Sequence, residues 1–127
     1  MELIEIVNEL VVKDINKTIE FYKKYLTFEI IETDGNPISW VKMKKDNCTI
    51  MFETYEEVCN EIKNFPKMTE TSNLIQFKYD SETDFMKLYN KFCDDNIPLF
   101  MEIKKTEYGS LEFGILDPDK NMIILSC

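Results

Sequence analysis

The side chains here that could carry chemistry are few in kind. Lysine supplies all 15 basic residues against 24 Asp and Glu, and histidine and arginine are both absent. Without histidine, every Ser-His-Asp or Cys-His mechanism is excluded, and the usual ligand of zinc and non-haem iron is gone. Any reaction must run on carboxylates, lysine, tyrosine or cysteine. Glu53 and Glu102 are the candidate acid–base pair, because a carboxyl desolvated in a pocket rises in pKa and can exchange protons near neutrality. Nothing in their spacing brings them together. Cys48, Cys59, Cys93 and Cys127 have no C-x-x-C spacing, so neither a zinc ribbon nor a redox motif is indicated. Cys48 and Cys127 are expected as small, buried, apolar residues. Trp40, the only tryptophan, offers a flat face that stacks on aromatic ligands and attracts positive charge.

Composition bounds the partners. A chain of 127 residues, 44% apolar and 31% charged, is that of one globular domain. Its net charge of −9, without arginine, argues against nucleic acid, because counterion release needs a basic patch and base readout leans on bidentate Arg. The same field disfavours anionic membranes and mildly favours cationic ligands. Met1 to Glu5 carry no basic leader region, and no run approaches the roughly 18 apolar residues of a membrane helix. The expectation is a cytoplasmic protein with reduced thiols.

The elements that must position these residues follow one pattern written twice. Ile4 to Val12 reads as a strand. Asp14 then stands where a helix N-cap belongs, before an apolar stripe of Ile15, Ile19, Tyr22 and Leu26 at steps of four, three and four. Strand-like runs follow at Phe28 to Thr33, Ile38 to Met43 and Cys48 to Thr54, separated by Asp34-Gly35-Asn36-Pro37 and Lys45-Asp46-Asn47. The order then repeats. Asn73 to Tyr79 is strand-like, and Asp80 or Ser81 caps a helix with the stripe Phe85, Leu88, Tyr89, Phe92. Strands are expected at Pro98 to Ile103, Leu111 to Leu116 and Met122 to Leu125. The prediction is one α+β domain over residues 1–127 of two βαβββ modules, about 1–55 and 72–127. The linker, about 56–71, holds a short helix stopped before Pro66. Lys42-Met43-Lys44-Lys45 and Lys104-Lys105 are expected at solvated sheet edges.

Two motifs add a resemblance. Val11-Val12-Lys13-Asp14 with Thr18-Ile19-Glu20-Phe21-Tyr22, then Leu26-Thr27-Phe28, resemble the opening strand, D-x-x-x-S-x-x-F-Y helix and L-G-F exit of the glyoxalase / bleomycin resistance / extradiol dioxygenase (vicinal oxygen chelate) superfamily. Thr27 replaces the usual glycine. Asp117-Pro118-Asp119-Lys120-Asn121, following Tyr108-Gly109 and Phe113, is similar to the family's D-P-D-G-N turn, with Lys120 for glycine. The resemblance spans the whole chain. It implies two modules whose mixed sheets curl into an open barrel with helices outside, a pocket within the curl, and often a homodimer.

Catalytic members of that family hold a divalent metal at four strand positions. Counted from the local markers, these fall at Val7, Met51, Asn73 or Leu74, and Ile124. Such a set cannot assemble a hard-cation site, so no metal and no other cofactor is expected. On the same implied fold, Trp40, Met51, Glu53, Phe100, Glu102 and Phe113 are the candidate ligand-binding residues, with the inward set of each strand left open. The expected function is metal-free sequestration of a cationic or amphipathic aromatic small molecule, as antibiotic-resistance members of the family do. Two alternatives stand beside it. One is a glyoxalase-like lyase or isomerase with a non-standard site. The other is an interaction module whose large side chains simply fill the barrel.

Overall fold

Asp14 starts the first helix in the way its position suggests. Its carboxylate accepts the backbone N–H groups of Asn16 and Lys17 at 3.1 and 3.2 Å, filling donors that the first turn leaves open. In this computed structural model, which describes residues 1–68 and 73–127, the helix runs over Ile15–Lys24 and is α1. Ile15, Ile19, Tyr22 and Leu26 all turn inward and are buried. Tyr22 lies against Phe52 with ring centroids 4.7 Å apart.

The chain divides into two compact units, Met1–Met68 and Thr69–Cys127, and each carries the βαβββ order. In the first, β1 (Glu9–Val12), β2 (Glu29–Asp34), β3 (Trp40–Lys45) and β4 (Cys48–Thr54) form a mixed sheet of order β1-β4-β3-β2, followed by the short helix α2 (Tyr55–Glu61). In the second, β5 (Leu74–Lys78), helix α3 (Glu82–Asp94), β6 (Leu99–Lys105), β7 (Leu111–Leu116) and β8 (Met122–Ser126) form a sheet of order β5-β8-β7-β6. In both units the strand before the helix runs parallel to the last strand of its sheet. The α+β class and the repeated module are therefore as the sequence predicts. Part of the predicted linker, through residue 71, and the start of the second module at residue 72 lie outside the described residues.

Each sheet buries one face beneath its helix. Under α1 sit Val12, Val41, Met43, Ile50 and Phe52, all buried. In the second unit Phe85, Phe92, Phe113, Ile115, Ile123 and Leu125 are buried together, and Phe113 touches Phe85, Tyr89 and Phe92 at ring distances of 5.2, 5.1 and 6.0 Å. Ser81 caps α3 through the Asp84 N–H at 3.3 Å. Among the described residues no helix is long and apolar enough to cross a membrane.

Several expectations change. The first strand covers Glu9–Val12 instead of beginning at Ile4, because its ladder to β4 runs only from Glu9↔Met51 to Val12↔Thr54. Apolar, β-branched residues before Glu9 have the propensity, but the bonding to β4 goes back no further than the Asn8 carbonyl, which accepts the Met51 N–H at 2.9 Å. The linker helix ends at Glu61, where Ile62 is already extended, well short of Pro66. The lysines of β3 do not lie at an edge, since β3 is flanked by β2 and β4. Lys104 and Lys105 do, on the outer strand β6. Cys48 is exposed, being the first residue of β4 beside the Asp46-Asn47 turn, and Cys127 is half-buried.

Candidate functional site

Strand register places the chemistry of the first unit. Cross-strand partners point to the same side of a sheet, and side chains alternate along each strand. Trp40 is opposite Glu53, Lys42 opposite Met51, and Glu9 opposite Met51 on the parallel side. Glu9, Trp40, Lys42, Met51 and Glu53 therefore share the face turned away from α1. Glu32 and Asp34 of β2 extend it, opposite Lys42 and Trp40.

Contacts tighten this face into a cluster. The Trp40 indole N–H donates to Glu9 Oε1 at 3.1 Å. Glu53 is only 7% exposed, and its neighbours include the carboxyls of Glu61, on the last turn of α2, and of Glu9. Burial first, then the hydrogen bond and charge of Glu61, then Glu9, push the Glu53 pKa up from 4.5 to about 7. The face thus presents an aromatic plane bordered by an anionic Glu9 and a carboxyl that trades its proton near neutral pH.

Of the six predicted ligand-binding residues, the structure brings Trp40, Met51 and Glu53 onto this face. Phe100 and Glu102 belong to the second unit, where Phe100 is 59% exposed and the Glu102 charge helps raise the pKa of Tyr89, after a hydrogen bond to Cys93 and burial. Phe113 is buried in the core beneath α3, its register with Leu125 putting it on the helix-covered side. The same Tyr-to-Cys contact recurs in the first unit, where a hydrogen bond to Cys59 raises the Tyr55 pKa. The second unit has its own hollow of about 260 Å³ with Lys78, Glu112 and Ser126 on its wall, and the Tyr108 hydroxyl donates to Glu112 at 3.2 Å.

Sequence reading missed Glu9 and Glu61. Glu9 was within reach of it: two residues after Val7, it shares that position's face by strand alternation. Glu61 was not, because only the folded path of α2 carries it back over β4.

The four positions at which the resemblance places metal ligands do not carry hard donors. Val7 is exposed before the first strand, Met51 offers a thioether, Leu74 is exposed, Ile124 is a hydrocarbon, and the alternative Asn73 is a single amide. Divalent hard cations need several oxygen or imidazole donors, so these residues do not fit one. Among the described residues no three His, Cys, Asp or Glu side chains are grouped to hold a metal.

Comparison with known proteins agrees with this architecture. The family model described as Glyoxalase/Bleomycin resistance protein/Dioxygenase superfamily matches residues 4–125. A lactoylglutathione lyase from Agrobacterium tumefaciens is similar at 18% identity and a TM-score of 0.77, over 96% of this chain and 92% of that one. A glyoxalase-related enzyme from Fulvimarina pelagi is similar at 12% identity and 0.79, over 98% and 88%. TioX from Micromonospora sp. ML1 gives 10% identity and 0.76, over 94% of each chain. At such identities the likeness is one of fold. No curated protein matches the chain in sequence.

Proposed function

The chain belongs to the Glyoxalase/Bleomycin resistance protein/Dioxygenase superfamily, and from that premise we propose that it holds a small cationic or amphipathic aromatic molecule reversibly, without a metal. The observation that carries this reading is the Trp40 face of the first sheet: an indole tied to Glu9 at 3.1 Å, with Met51 and Glu53 beside it. A flat cation over the indole gains from the ring's negative face, from the Glu9 charge, and from a thioether that adapts to its outline. The net charge of −9 draws such a ligand in from solution. The donor set at the family's metal positions supports a reading without metal.

Calorimetric titration with proflavine, a flat aromatic cation, tests it. Saturable binding of one proflavine per chain is expected, weakened about tenfold by Trp40→Ala, the scale of one cation–π contact with its stacking area. No binding, or binding indifferent to Trp40→Ala and Glu9→Gln alike, overturns the reading.

One observation favours a second reading. A carboxyl that titrates at about 7 is poised for general acid–base work, and Glu53 would then move a proton on a bound substrate. Turnover of a hemithioacetal that is abolished in Glu53→Gln while substrate binding persists would establish this. Equal turnover in the variant would remove Glu53 from the role.

A further inference from the structure

The second sheet carries two opposite charges on one face and keeps them apart. Lys78 of β5 and Glu112 of β7 are both opposite Ser126 of β8, so the three stand in one row across the sheet. The row lies on the side turned away from α3, because Phe113 and Leu125, the neighbouring residues along β7 and β8, are buried beneath that helix. Two strand spacings separate its ends, about 10 Å, and among the described residues no salt bridge joins Lys78 to Glu112.

This row lines the hollow of about 260 Å³, together with Gln76, two residues before Lys78 on the same face of β5. The Tyr108 hydroxyl, from the hairpin between β6 and β7, donates to Glu112 Oε1 at 3.2 Å. That bond fixes the carboxylate and leaves Oε2 for another donor. The hairpin is itself held, with the Thr106 and Ser110 hydroxyls 2.8 Å apart and the Ser110 N–H donating to the Thr106 hydroxyl at 3.1 Å.

We propose that this hollow is a binding site of the second unit's own, for a small zwitterion that sets its carboxylate on Lys78 and its ammonium on Glu112.

The two poles choose the ligand. An ammonium only donates and an ionised carboxylate only accepts, so one end takes an anion and the other a cation. Charge-assisted bonds of about 2.8 Å at each end leave roughly 4–5 Å between the ligand's own charged atoms. An α-amino acid is too short for that span, whereas a γ-amino acid or a dipeptide matches it. A dipeptide's central amide would also meet the Ser126 hydroxyl and the Gln76 amide, each of which donates and accepts. Isolated surface ion pairs contribute little, since two long side chains must be ordered to form one. Here the Tyr108 bond already orders Glu112, and once one end of the ligand is held the other meets its partner at high effective concentration. The net charge of −9 repels a simple anion but not a molecule of zero net charge. Because the site involves neither Trp40 nor Glu9, it stands or falls separately from the reading of the first unit.

Titration of isotope-labelled protein with glycylglycine and with γ-aminobutyrate, followed through amide chemical shifts, tests it. Saturable shifts in β5, β7, β8 and the 106–110 hairpin are expected, with a Kd on the order of 1 mM. Butyrate and butylamine, which carry one charge each, are expected to bind at least about tenfold more weakly. Lys78→Met and Glu112→Gln are each expected to weaken glycylglycine about tenfold, Lys78→Arg to retain it, and Trp40→Ala to leave it unchanged. Tighter binding of glycylglycine assigns the site to short peptides, and tighter binding of γ-aminobutyrate to longer amino acids. No saturable shift with either overturns the proposal. So does equal binding of the singly charged molecules, indifference to Lys78→Met and Glu112→Gln, or loss of binding in Trp40→Ala.

Discussion

Thr27 and Asn96 hold the same backbone conformation just beyond the first helix of each unit, with φ of 57° and 54°. Each turns the chain out of its helix, so that the next residue's N–H returns to the last turn: Phe28 to the Tyr22 carbonyl at 3.0 Å and Ile97 to the Phe92 carbonyl at 2.9 Å. The left-handed region suits Asn, whereas a β-branched residue is strained there by about 1–2 kcal/mol. Thr27→Gly is therefore expected to stabilise the protein by about 0.5–1 kcal/mol, after the extra freedom of glycine in the unfolded chain is set against the gain. Asn96→Gly is expected to be close to neutral. Denaturant midpoints check both. A lower midpoint for Thr27→Gly would mean that the bond from its hydroxyl to the Leu26 carbonyl, at 2.7 Å, outweighs the strain.

The turn between β7 and β8 is organised by one buried carboxylate. Asp117 accepts the N–H groups of Asp119 and Asn121 and the Asn121 side-chain amide, each at 2.9 Å, and both residues are buried. Asp117→Ala strips the acceptor from all three donors. Hydrogen bonds to a charged group are each worth about 1.5–3 kcal/mol, and water replaces some of them, so a loss of about 2–3 kcal/mol is expected in chemical denaturation. A loss below about 0.5 kcal/mol would show that the turn holds through its backbone alone.

The parts of this architecture that were legible in the sequence are those set by short-range rules. Helix stripes and caps follow from spacing and from Asp14 and Ser81, and β4 and β7 lie within the limits their composition predicts. The rest depends on neighbours that no local pattern names. Ile4, Ile6 and Val7 have every preference for a strand, yet ladder partners begin only at Glu9. Phe113 alternates with Glu112 in a way that leaves either of them free to face the helix, and register with Leu125 decides it. Met51 and Glu53 share a face by strand alternation alone, but the side Trp40 takes is decided by its register with Glu53, and Glu61 joins them only through the path of α2.

Glu53 makes stability depend on pH in a definite sense. Its folded pKa of about 7 lies above the ordinary 4.5, so between those values the folded state keeps a proton that the unfolded state has released. Stability from this group is full below about 4.5, declines as pH rises, and is gone above about 7. Glu53→Gln removes the ionisation while keeping the shape. The variant is expected to be more stable than the native chain at pH 8 by about 1–2 kcal/mol, and nearly equal to it at pH 4.5. Denaturant titrations at the two pH values measure the difference directly. An advantage of the same size at both would mean that packing, and not charge, sets it.

Metal retention offers a test of the strand register itself. If Val7, Met51, Leu74 and Ile124 stand at the family's ligand positions, the protein has no set of hard donors there. Protein incubated with Ni²⁺, Zn²⁺, Mn²⁺ or Fe²⁺ and then desalted is expected to retain less than about 0.1 metal per chain by elemental analysis. Any histidine tag has to be removed first, because it would supply the imidazoles that the chain lacks. Two substitutions that install donors beside Glu9 in the first unit, Val7→His and Met51→Glu, are expected to raise retention if the register is right, since Glu9 and Met51 are cross-strand partners. Retention near one metal per native chain would instead mean that carboxylates such as Glu9 and Glu53 have been drawn into coordination, and the reading without metal would fall.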